Sequence, residues 1–343
     1  MSESVQNFPA YAAGFYPRRA ARPTAREWVR HSALFALTFL TATMSGITLL
    51  LPYDQVPETA LEVPSTLAGY LLYLPRYYVL GLMDAGAYAL AHPFFIFEGL
   101  KFAAALLAIL LAHEAGHYVA CRRYGVDATL PFFIPLPPPF IAGTLGAFIK
   151  IKSPIPTRRA LFDIGVAGPL AGFVVVLPVA LLAMLSAEPY AGTIATEGVI
   201  IFNDPLLLRL AAMVVGVENL PAIAPNPFYM AAWIGLLVTS LNLLPVGQLD
   251  GGHAVYALFG RGAHARVGRL AFAGMLVLAP LGWVWHGAPS GFLYVALLFV
   301  MLRVRHPEAG DERQPLGRAR VAIALLTLAV FALSFLPFPL TVR

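Results

Sequence analysis

The feature that most restricts this chain is a series of apolar runs, most of them near 20 residues long and almost free of charge. In a bilayer such a run has to satisfy its own backbone hydrogen bonds. An α-helix of about 20 residues does so while crossing the hydrocarbon core. Seven runs fit: about 32–51, 97–121, 160–186, 228–246, 268–285, 289–302 and 321–340. The sixth is short for a crossing, and with the fifth it reads as a tilted or partial hairpin. Hydrophobic residues make up 59% of the 343 positions and charged ones 12%, too few charges to coat a soluble domain of this size. The expected fold class is an all-α polytopic membrane protein with about seven transmembrane helices.

Basic and acidic segments alternate between the runs. Arg18, Arg19, Arg22, Arg26 and Arg30 precede the first, and Asp54, Glu58, Glu62 and Asp84 follow it against Arg76. Arg122, Arg123, Lys150, Lys152, Arg158 and Arg159 follow the second, and Glu188, Glu197, Asp204 and Glu218 follow the third against Arg209. Arg261, Arg266 and Arg269 follow the fourth, and Arg303, Arg305, Arg313, Arg318 and Arg320 follow the sixth. The positive-inside rule then puts the N-terminus in the cytoplasm, and the parity supports the short sixth span. These segments account for the net charge of +5, so no nucleic-acid partner is expected. Residues 1–31 lack the apolar centre of a secretory signal. The expected location is the cytoplasmic (inner) membrane of a prokaryote. The single cysteine, Cys121, excludes an intrachain disulfide and reads as a packing residue.

Two segments are neither spans nor ordinary loops. Residues 64–96 carry Tyr70, Tyr73, Tyr77 and Tyr78 but are interrupted by Pro75 and Arg76, which predicts an interfacial or re-entrant element. Residues 129–151 hold five prolines and the turn Gly143-Thr144-Leu145-Gly146, which predicts a short β-hairpin or re-entrant loop.

The chemistry concentrates in His113-Glu114-Ala115-Gly116-His117. Residues four apart share a helix face, so both imidazoles can reach one metal ion, with Glu114 beside the first as a general base. Ionisable groups inside an apolar helix are costly and point to function. The alternative is that the helix ends near Leu111 and these residues are a solvated flank. Against it, Tyr118-Val119-Ala120 continues the apolar run and Arg122-Arg123 marks the interface.

A catalytic zinc usually takes three protein ligands and keeps a fourth position open. Asp163, Asp250, His253, His264 and His286 are the candidates for the third. Asp250 is the best placed. It follows Pro245 and Gly247 at the end of the fourth span, at the same depth and side as the end of the second. His253 reads as solvating a helix start, or as a group behind the ligands. Asp163 reads as a local ion pair with Arg158 and Arg159.

Together, His-Glu-x-x-His and the later Asn242-Leu243-Leu244-Pro245…Asp250-Gly251 resemble the site-2 protease family of intramembrane metalloproteases. Gly168-Pro169-Leu170-Ala171-Gly172 and the Gly143–Gly146 turn add to the likeness, which covers roughly residues 95–260. The resemblance implies one catalytic Zn2+ held by His113, His117 and Asp250, and Glu114 as base. It also implies Asn242 holding the core or touching the substrate backbone, and Gly143 and Gly146 in a strand that receives substrate. The implied partners are the lipid bilayer and a membrane-protein substrate with a transmembrane helix. The expected units are 1–31 as a cytoplasmic tail, 32–96 as first span and interfacial segment, 97–260 as metalloprotease core and 261–343 as C-terminal transmembrane helices. Unlike many bacterial members, the chain has no inserted soluble peptide-binding domain. A metal transporter would also place His and Asp in spans, but would not require Glu directly after the first His. An inactive, partner-binding relative would normally have lost one of these four residues.

Overall fold

A computed structural model describes residues 20–342 apart from 53–55, 57–63, 65, 139, 141, 190–199, 218, 221, 222, 225, 305, 307–309 and 312–314. Most of the expected N-terminal tail and the charges at Asp54, Glu58, Glu62, Glu197, Glu218, Arg305 and Arg313 lie outside the described residues. The described chain is mostly helical: α1 (Ala25–Leu50), α2 (Leu67–Ala91), α3 (Pro93–Arg123), α4 (Arg158–Leu185), α5 (Leu206–Val215), α6 (Pro227–Asn242), α7 (Asp250–His286), α8 (Gly291–Arg303) and α9 (Arg318–Ser334). Four of them, α1, α3, α4 and α7, are long and apolar enough to cross a membrane.

Each of the seven expected runs coincides with a helix, but the boundaries differ in instructive places. α1 begins seven residues early because Thr24 and Glu27 form a capping box. α2 runs straight through Pro75, where an interruption was expected. α4, one of the helices long and apolar enough to cross a membrane, also contains prolines, Pro169 and Pro178; a proline inside a membrane helix is tolerated when neighbours resatisfy the freed carbonyl. α7 begins at Asp250, well before the expected start at 268, so Arg261 and Arg266 are helical as well as Arg269. A non-helical Gly260, at φ 80° and ψ 176°, divides it into two pieces. Arg158 seals the first piece by donating to the carbonyls of Ala257 and Leu258.

The core lies where α3, α4 and α6 meet. Leu106, Ile109 and Leu110 of α3 pack with Val176 and Ala180 of α4 and with Met230, Trp233 and Leu236 of α6. In hydrocarbon such packing, and close approach at small residues, replaces the hydrophobic drive available in water. At Gly116 of α3 a Cβ would overlap the carbonyl of Ala167 in α4, so these two backbones touch beside the His-Glu-Ala-Gly-His segment.

Strands β1 (Phe132–Pro135) and β2 (Thr144–Phe148) form an antiparallel hairpin, pairing Phe132 with Phe148 and Pro135 with Thr144 across a register shift. A buried Thr/Ser stripe on α1 holds it. Thr41 Oγ1 donates to Gly143 O at 2.7 Å and Ser45 Oγ to Phe140 O at 2.9 Å, while His31 Nδ1 donates to Pro131 O at 2.9 Å. At the other end of the molecule β3 (Ile200–Phe202) pairs with β4 (Leu340–Val342).

Candidate metal centre

α3 supplies two imidazoles. His113 and His117 are one turn apart, both buried, with Glu114 buried between them. Asp250 arrives from the opposite direction at the first residue of α7. The turn 243–249 delivers it, and Gly247 there takes φ 57°, a left-handed conformation that a side chain resists.

The three donor atoms converge. Asp250 Oδ2 lies 3.3 Å from His113 Nε2 and 3.2 Å from His117 Nε2, and the two imidazole nitrogens are 3.2 Å apart. Ligand atoms at roughly 2.0–2.1 Å from a tetrahedral ion stand about 3.3–3.4 Å from one another. The triangle is thus the size that one zinc ion requires. Among the described residues this is the group of three or more His, Cys, Asp or Glu able to hold a metal. The donor chemistry, two neutral imidazoles and one carboxylate, suits zinc.

Surrounding groups orient these ligands. His117 Nδ1 donates to the carbonyl of Ile164 at 2.7 Å, which in the neutral ring leaves the lone pair on Nε2, facing the other two donors. α4 seats both imidazoles through missing side chains. A Cβ at Gly168 would overlap the His117 ring, and one at Gly172 would come within 3.1 Å of His113 Cβ. Asn242 Nδ2 is 3.5 Å from His113 Nε2, at the outer limit of a hydrogen bond and on the nitrogen that faces the centre. Glu114 faces the backbone amide of Ile149, just past the end of β2, so the hairpin ends beside this carboxylate.

The remaining sequence candidates lie elsewhere. Asp163 pairs with Arg320 of α9, at 2.8 Å from Nε and 2.7 Å from Nη2, and with the Tyr124 hydroxyl. The expected local pair with Arg158 and Arg159 is therefore corrected. Those two arginines instead donate to backbone carbonyls at 257, 258 and 315. His264 donates to Gly247 O, and His286 lies at the far end of α7, 3.4 Å from Thr341. Gly143 and Gly146 both take positive φ, 65° and 105°. Gly143 is pressed against Thr41 and Ala42 of α1, whereas Gly146 faces open space. The Ile164 carbonyl had no sequence signal, because any residue could supply it. Gly168 and Gly172 stood out in the sequence only through resemblance; the packing shows what their small size does.

Comparison with known proteins agrees with this geometry. The Peptidase_M50 family model, "Peptidase family M50", matches residues 101–281, which include His113, His117 and Asp250. "Probable zinc metalloprotease EGY1, chloroplastic" of Oryza sativa subsp. japonica is 33% identical over 253 residues, 71% of this chain and 41% of that protein. The Arabidopsis thaliana protein of the same name is 33% identical over 255 residues, covering 71% of this chain and 44% of its own length. "Probable zinc metalloprotease EGY2, chloroplastic" of Oryza sativa subsp. indica is 29% identical over 245 residues, 71% of this chain and 43% of its own. The chain thus spans less than half the length of these relatives. Those plant relatives are named as chloroplastic, and this overturns the expected prokaryotic inner membrane. The charge pattern behind that expectation orients a chain across a bilayer, and carries no information on which bilayer it is.

Proposed function

The chain belongs to peptidase family M50, and from that premise we propose that it is an intramembrane zinc metalloprotease hydrolysing peptide bonds in the transmembrane segments of membrane-tethered proteins. The observation that carries the proposal is the triangle of donor atoms, 3.2–3.3 Å on each side. His113, His117 and Asp250 are the residues that would hold the ion. Zinc there supplies a Lewis acid and makes a nearby water acidic enough to attack at neutral pH.

Glu114 accepts the proton of the attacking water and passes it to the leaving amine. Its burial keeps bulk water from competing for that proton. Asn242 steadies His113 or meets the substrate backbone beside it. A transmembrane helix hides its amides in its own hydrogen bonds, so the substrate has to be extended before it is cut. The hairpin offers the partner for that state: β2 presents an exposed Leu145 and ends next to Glu114. Gly143 turns the chain into β2 and Gly146 shapes its edge.

The finer topology belongs to the same proposal. The shorter helices α6, α8 and α9 join α1, α3, α4 and α7 as seven spans, with residues 97–260 as the catalytic core and 261–343 as C-terminal spans. α2 lies against the membrane surface, and the basic segments share the side on which the metal centre opens. Family membership favours hydrolysis over metal transport and over an inactive, partner-binding relative.

The test is cleavage of a panel of single-span reporter proteins co-reconstituted with the purified chain in liposomes. Wild type is expected to cut at least one reporter, and Glu114→Gln to keep its zinc and lose about 10²- to 10⁴-fold in rate. A Gln variant that cuts at the wild-type rate would remove Glu114 from the chemistry.

A further inference from the structure

α9 lies beyond the stretch that matches family M50, yet it reaches back to the helices that carry the metal centre. Arg320, near its start, forms a forked ion pair with Asp163 of α4. Nε donates to Oδ1 at 2.8 Å and Nη2 to Oδ2 at 2.7 Å. Nη2 also donates to the Tyr124 hydroxyl at 3.1 Å, and that hydroxyl donates to Asp163 Oδ2. Tyr124 is the residue that follows α3, so the three side chains join the end of α3 to the starts of α4 and α9. Ile323 and Ala324 of α9 pack beside them against the buried Cys121, Leu161 and Phe162. The Arg320 and Asp163 side chains are 24% and 27% exposed, so the pair is held largely out of water.

Asp163 anchors the turn of α4 on which both sides of the metal centre rest. The next residue, Ile164, offers the carbonyl that accepts from His117 Nδ1 at 2.7 Å. The one after it, Gly165, faces α7. A Cβ there would lie 2.8 Å from His253 Cβ and 3.4 Å from the Asp250 carbonyl oxygen. Residues 163, 164 and 165 therefore touch α9, α3 and α7 in turn. Inside α4 this turn is weakly tied. Pro169 has no N–H, so the Gly165 carbonyl lacks its usual donor one turn on. A hold from outside the helix is what such a turn lacks. Two parallel N–H···O bonds from one guanidinium fix orientation as well as distance.

On the reading of His113, His117 and Asp250 as zinc ligands, we propose that Arg320 is a positioning residue for the metal centre. Through Asp163 and Tyr124 it fixes the α4 turn whose Ile164 carbonyl aims His117 and whose Gly165 admits the first turn of α7. Arg320 itself touches neither ion nor substrate. With the pair broken, the Ile164 carbonyl drifts from His117 Nδ1. The imidazole then loses the bond that sets its tautomer and direction, and the triangle of donors loosens. A lysine at 320 keeps the charge without the fork, so it holds the turn at one point only.

The experiment uses the full chain in detergent micelles. Zinc affinity is measured by competition with a chelator, and cobalt(II), which the same donors accept, reports ligand geometry through its d–d absorption. Arg320→Gln should bind zinc about 10-fold more weakly, the low end for loss of a supporting group, and should change the cobalt spectrum. Arg320→Lys should recover part of both. Asn203→Ala is the control, since it removes the bonds to Phe338 O and Thr341 Oγ1 just past the other end of α9. It should lower thermal stability and leave affinity and spectrum at wild-type values. Tyr124→Phe, which removes one hydroxyl, takes the place of Arg320→Gln should that chain fail to fold, and should shift the spectrum the same way. Wild-type affinity and spectrum in Arg320→Gln, or in Tyr124→Phe in its place, overturns the proposal. So does a loss of zinc in Asn203→Ala as large as in Arg320→Gln, because general loosening would then explain both. A wild-type chain that takes up no cobalt overturns the ligand set itself, so the two failures are told apart.

Discussion

Glycine does opposite work on the two sides of the metal centre. On α4, Gly168 and Gly172 have ordinary helical geometry, and what matters is the absent side chain, because imidazoles fill the place of a Cβ. In the hairpin, Gly143 and Gly146 take φ values of 65° and 105°, so what matters there is the backbone. The helix face decides whether a metal can be held. The hairpin decides what is presented to it. Substitutions on the two sides should therefore separate zinc binding from cleavage.

Gly168→Ala should have the largest effect. Alanine improves helix propensity by about 1 kcal/mol, so any loss comes from crowding of His117. Zinc affinity is expected to fall by about 10- to 100-fold, as when the supporting groups of a metal site are removed, and cleavage should fall with it. Metal analysis after dialysis checks this; retained zinc would mean that His117 has another place to go. Gly143→Val should come next. It meets both a strained φ, costing about 1–2 kcal/mol, and the Thr41 and Ala42 backbone. Cleavage should slow while zinc stays bound. Gly146→Val meets only the strained φ, because its surroundings are open, so its cleavage defect should be smaller. If both valine variants cleave at the wild-type rate, the hairpin does not present substrate. Thr41→Val should have the least effect. It removes the 2.7 Å bond to Gly143 O and lowers thermal stability by about 1 kcal/mol with zinc unchanged.

The centre was more legible in the sequence than its surroundings, for physical reasons. His113 and His117 are four residues apart on one helix, so the helical period alone brings them together. Asp250 lies 133 residues beyond His117, and became visible only because span ends share a depth and because the surrounding motif resembled a family. The Asp163–Arg320 pair was missed because 157 residues separate its partners, and two arginines stood closer in sequence. The general rule that proline breaks a helix interior predicts an interruption at Pro75, and α2 passes through it all the same. The fifth apolar run reads as starting near 268, yet α7 starts at Asp250, because charge ends an apolar run without ending a helix and arginine is a good helix former.

The most direct test of the central claim is the zinc content of the purified full chain. About one ion per chain should be found in the wild type and in Glu114→Gln, and none in His117→Ala or Asp250→Ala. Zinc that survives Asp250→Ala at full stoichiometry would contradict the triangle of donors on which the account rests.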